Sequence, residues 1–131
     1  MTTLVWMVIG AIAAVPFVAY ARRHGGERTF AIGLVVAALI YIAFVVFGQA
    51  SAKAVQLETI GAVAFIALAI AGRRSARVLA AGWGAHGIWD MAFHAPVADA
   101  YWPLWYPAAC LGFDLVVAAH LGRVAREQGP A

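Results

Sequence analysis

Five apolar runs divide the chain: Leu4 to Ala21, Thr29 to Gly48, Ala54 to Gly72, Val78 to Ala95 and Trp105 to Val124. Each approaches the ~20 residues that carry a helix across a bilayer. In hydrocarbon every backbone N–H and C=O must be bonded internally, which only helices and closed barrels achieve. The runs are continuous rather than alternating, so helices are predicted. The expected fold class is all-α, one membrane-embedded domain over residues 1–131 built as a bundle of five transmembrane helices. Composition agrees, with 65% hydrophobic and 11% charged residues against about 45–50% and 25% in soluble domains. The joints are short, and none has room for a separate soluble domain.

Charge placement predicts the orientation. Arg22, Arg23 and Arg28 occupy the first joint, Arg73, Arg74 and Arg77 the third, and Arg123 and Arg126 the tail, while the second joint holds only Lys53. Arginine and lysine in short loops mark the cytoplasmic side. The expectation is therefore an N-terminus outside, a C-terminus in the cytoplasm, and a multi-pass protein of a bacterial inner membrane. The first run is expected to be retained, because a signal peptide carries its positive charges before the apolar stretch and here they follow it. Tyr101, Trp102, Trp105 and Tyr106 are expected to form an aromatic belt at the outer interface. Arginines confined to joints do not make a basic face, so no nucleic-acid partner is expected. Membrane lipids are, and glycine- and alanine-rich helix faces allow a homo-oligomer.

Acids inside the runs are the informative residues, since an Asp at a helix centre costs roughly 2.5–3.5 kcal/mol on insertion. Glu58 falls in the third helix, Asp90 in the fourth and Asp114 in the fifth. His86 and His94 stand four residues either side of Asp90 and, at 100° per residue, share a polar stripe with it. Cys110 and Asp114 share a face by the same spacing; His120 points elsewhere, and His24 lies in an arginine-rich loop. Eight arginines against Glu27 and Glu127 leave the inner side at +6, whereas Lys53 against Glu58, Asp90, Asp99 and Asp114 leaves the outer side at −3. A negative group in lipid needs protons, imidazolium or a cation. Imidazole and carboxylate together suit a divalent metal, zinc before iron or manganese. The candidate ligands are His86, Asp90, Asp114, Glu58 and His94, and the candidate catalytic residues Asp90, His94 and Glu58. His86 and His94 are about 12 Å apart along a helix, too far for one ion, so the spacing leaves open which histidine joins Asp90, and whether there are one or two metals.

The stretches GAHGIWDMAFH and YWPLWYPAACLGFD resemble a family of small bacterial polytopic membrane proteins with a His-Gly-x2-Asp-x3-His helix and a Cys-x3-Asp helix. The similarity extends back through the Glu58 helix. It implies that Glu58, His86, Asp90, His94, Cys110 and Asp114 belong together, and it lends no activity. In residue types alone the chain is also similar to intramembrane zinc amidohydrolases of the alkaline ceramidase kind, from which it departs in having five helices and two well-placed histidines. The leading expectation is metal-dependent hydrolysis of a lipid-like substrate. The alternatives are a metal-ion or proton transporter component and an accessory subunit whose polar groups only pack helices.

Overall fold

A computed structural model describes residues 1–94 and 100–130. It contains five helices: α1 (Thr2–Arg23), α2 (Glu27–Phe47), α3 (Ala52–Gly72), α4 (Ala76–Phe93) and α5 (Tyr106–Glu127). Four of them, α1, α2, α3 and α5, are long and apolar enough to cross a membrane. Ala95, the expected end of the fourth run, and Asp99, counted in the outer charge, lie outside the described residues.

α1 to α4 each start two residues, about half a turn, before the apolar run they contain, because hydropathy marks the apolar length whereas helix geometry extends to the cap. Ser51 Oγ accepts from Ala54 N at 3.2 Å and Ser75 Oγ from Val78 N at 3.3 Å, each satisfying one of the orphan N–H groups of a first turn. The loop between α1 and α2 turns at Gly25 and Gly26, with φ of 103° and 54°, a conformation that favours glycine.

α5 packs against α1 on one side and α4 on the other, and α3 lies between α4 and α2. α1 and α2, though consecutive, have backbones that stay apart. The α1–α5 crossing is backbone on backbone: a Cβ on Gly10 would lie 1.8 Å from the Ala109 carbonyl oxygen, and one on Gly112 1.9 Å from that of Met7. Only glycine permits such an approach, the device by which membrane helices gain dispersion contacts.

The arginine-bearing joints meet at one end of the bundle. Gln128 donates to Glu27 at 3.0 Å across that end, and Arg28 and Arg73 border one shallow hollow. α4 is the most enclosed element. Ala76, Leu79, Trp83, His86 and Asp90 are all buried at alternating spacings of three and four, the period of one helical face. The lower part of that face is apolar, and Trp83 Nε1 donates to the Phe30 carbonyl at 3.2 Å. Its upper part carries the histidine and the acid.

Candidate metal centre

The buried face of α4 delivers His86 and Asp90 one turn apart, and α5 delivers Asp114 opposite them. Gly87 makes room for this: a Cβ there would stand 3.2 Å from Asp114 Cβ. His86 Nδ1 donates to Asp114 Oδ2 at 2.8 Å and lies 3.7 Å from Asp90 Oδ2. One ligand atom from each of the three residues falls within 4.8 Å of the other two. Donors held 2.0–2.2 Å from a tetrahedral ion would be roughly 3.3–3.6 Å apart, so a contraction of about 1 Å would bring this set onto one cation.

Asp90 is 0% exposed and Asp114 1%. Asp114 has its bond to His86, but both carboxylate oxygens of Asp90 are without a hydrogen-bond partner. Burying an uncompensated carboxylate costs several kcal/mol, and protonation would still leave a buried O–H unpartnered. A cation between the three residues would take the His86 nitrogen and one oxygen from each aspartate and would compensate the buried charge, so the residues present fit a divalent metal.

Glu58 and His94 do not join that group. α4 ends at Phe93, and His94 is the residue that caps it, its backbone N–H bonded to the Asp90 carbonyl at 3.0 Å. Released from helical geometry, its ring turns to α3, where Nε2 donates to Glu58 Oε1 at 2.5 Å. The Tyr101 hydroxyl donates to the same oxygen at 2.5 Å. Burial, and then the bonded carboxylate, push the Tyr101 phenol above its ordinary range, which keeps it a donor. The stripe expected on α4 is thus divided between two clusters, His86/Asp90/Asp114 and Glu58/His94/Tyr101, and the histidine that accompanies Asp90 is His86.

Two aromatic residues of the expected outer belt are redirected. Tyr101 reaches Glu58, and Trp102 is buried with its ring edge-on to His94 at 4.8 Å; Trp105 keeps its exposure. Tyr41, which the sequence presents as an ordinary packing aromatic, stacks on His94 at 3.9 Å between ring centres, and its hydroxyl is buried without a partner. Its position could have been anticipated, since Leu34, Ala38, Tyr41 and Val45 share the buried face of α2. No periodic signal marks Tyr101. Cys110 is a free, half-buried thiol outside the three-ligand group; it neighbours Asp90 without meeting hydrogen-bond geometry. His120 lies away from both clusters, beside Phe30 and Arg123.

The described residues therefore bring together a three-ligand set and, one turn further along α4, a carboxylate–imidazole pair with a free ring nitrogen. No protein-family model, curated protein or solved structure matches the chain.

Proposed function

We propose that the protein is a five-span protein of a bacterial inner membrane, N-terminus outside and C-terminus cytoplasmic, with a divalent metal held by His86, Asp90 and Asp114, and that it hydrolyses a lipid-like substrate. Zinc is the first choice of metal, with iron or manganese as alternatives. The orientation rests on the arginine joints gathered at one end and the positive-inside rule. The metal rests on one observation above the others: a fully buried Asp90 with neither oxygen partnered, beside a histidine and a second aspartate. Three protein ligands is the count of catalytic zinc sites, which keep a fourth position for water or substrate, rather than of structural ones.

A metal bound there supplies Lewis acidity toward a carbonyl and toward water. The chain supplies the proton handling. With Nε2–H donated to Glu58, the His94 ring presents Nδ1 as a lone pair, and that atom is buried and unpartnered. His94 Nδ1 takes the proton from the water whose oxygen bonds to the carbonyl carbon. It returns that proton to the oxygen or nitrogen leaving group as its bond to the carbonyl carbon breaks. Glu58 holds the tautomer and orientation of His94, and Tyr101 holds Glu58. Toward the arginine end the interior is filled by Leu34, Leu79 and Trp83, all at most 2% exposed. That packing favours a closed pocket over a relay through the membrane.

The test is metal analysis of protein purified without chelator. About one ion per chain is expected, falling below a tenth of that in Asp90→Ala and His86→Ala. Wild-type protein that is folded and carries no stoichiometric metal, and takes up none on incubation with zinc, iron or manganese, would overturn the assignment.

A further inference from the structure

Between α1 and α2 the bundle is open. α1 leans on α5 and α2 on α3, and the two, though joined by a tight turn, have backbones that stay apart, with Phe17 of α1 reaching Phe30 and Gly33 of α2. The gap is a cleft of about 580 Å³, within the range of small-molecule sites. It runs from Ile9 to Tyr20 along α1 and from Ile40 to Thr29 along α2, about 16 Å at 1.5 Å per residue. Its rim, including Ile32 and Val36, is exposed and apolar. Its floor is formed by α4 and α5, and Asp114 is the one charged residue that lines it, with Cys110 a turn away on the same helix.

We infer that this cleft binds one hydrocarbon chain of a membrane lipid, with the polar linkage of that lipid placed at Asp114. The inference deepens the proposed function, resting on its assignment of Asp114 to the metal group, and it names the substrate class as an amphipath presented sideways from the bilayer. Two observations converge on this occupant. Both walls belong to helices long and apolar enough to cross the membrane, so the medium against the opening is acyl chain. The lining is apolar along most of the cleft, with Tyr20 and Thr29 at its arginine end and Asp114 where it meets the metal group. A polar solute would leave its hydrogen-bonding groups unpaired along most of this path; a methylene chain leaves none.

The probe is a palmitoyl lysophospholipid with a mid-chain diazirine, incorporated with wild-type protein into nanodiscs, photolysed, and its attachment mapped by peptide mass spectrometry. Labelling is expected to concentrate on the cleft-facing residues of α1 and α2. Ala13→Phe and Val36→Trp, both at exposed positions on opposite walls, are expected to reduce that labelling at least tenfold while metal content and melting temperature stay at wild-type values. Labelling spread evenly over the outward faces of α1 and α3, or unchanged in both variants, would overturn the inference. So would a cross-linked second copy of the chain covering the cleft. The two proposals fail separately: Asp90→Asn is expected to lose metal and keep the labelling pattern, and a protein without metal that still labels in the cleft retains the lipid site alone.

Discussion

Replacing Asp90 by asparagine removes a charge and preserves shape, and the structure assigns opposite signs to its effect with and without metal. In chelator, the wild type carries a 0% exposed carboxylate without a hydrogen-bond partner. Asparagine removes the charge, whose burial costs several kcal/mol, but keeps an unpaired polar amide worth about 1–3 kcal/mol, a net relief of about 2 kcal/mol. For a chain of this size 1 kcal/mol moves the melting temperature by about 3–5 °C, so Asp90→Asn should melt about 5–10 °C above wild type. With zinc at a hundredfold over its dissociation constant, binding to the native state adds about 2.7 kcal/mol. The wild type should then gain about 10 °C, and the variant, lacking an anionic ligand, almost nothing. Thermal unfolding in detergent micelles, followed by circular dichroism with chelator and with zinc, reads all four values. A variant that melts below wild type in chelator, together with a wild type indifferent to zinc, iron and manganese, would refute the reasoning and make Asp90 an ordinary packing residue.

Other consequences follow from the packing. Gly112→Ala and Gly10→Ala each place a methyl group within 2 Å of a carbonyl oxygen across the α1–α5 crossing, and the melt should register about 1–3 kcal/mol of overpacking strain; unchanged melting in both would mean that the helices do not cross there. Tyr101→Phe removes one bond to Glu58 and should cost about 1 kcal/mol while leaving metal stoichiometry intact; loss of metal would join the two clusters into one site. Trp83→Phe removes one of the bonds to the Phe30 carbonyl and leaves a cavity behind a smaller buried ring, and should destabilise by about 1–3 kcal/mol, again with full metal content.

The features legible in the sequence are those that follow from length and period. Bilayer thickness marks out α1, α2, α3 and α5, and the spacing of His86 and Asp90 puts both on the inner face of α4. The helix period stops being a guide where the helix does. His94 continues the numerical stripe from Asp90 but caps α4, so its ring is free to turn toward Glu58, 36 residues away in sequence. Interfacial aromatics are usually placed by their affinity for headgroups. Tyr101 and Trp102 are placed instead by a buried carboxylate and a buried imidazole, partners that only the tertiary fold brings near. The cleft is equally illegible, because it arises from α1 choosing α5 over its own sequence neighbour through Gly10 and Gly112.

α4 also bears on how such a protein enters a membrane. It is the helix outside the group long and apolar enough to cross by itself, and it owes that deficit to the residues that make it chemically interesting. An aspartate and a histidine facing lipid would each carry an insertion cost of a few kcal/mol, which α4 avoids only when α3 and α5 already shield its polar face. In the five-span protein proposed, the segment bearing the candidate site is the one whose crossing waits for its neighbours, so that biogenesis and the assembly of the three residues become a single event. A chain truncated before α5 should strand α4 in a topology different from that of the complete protein.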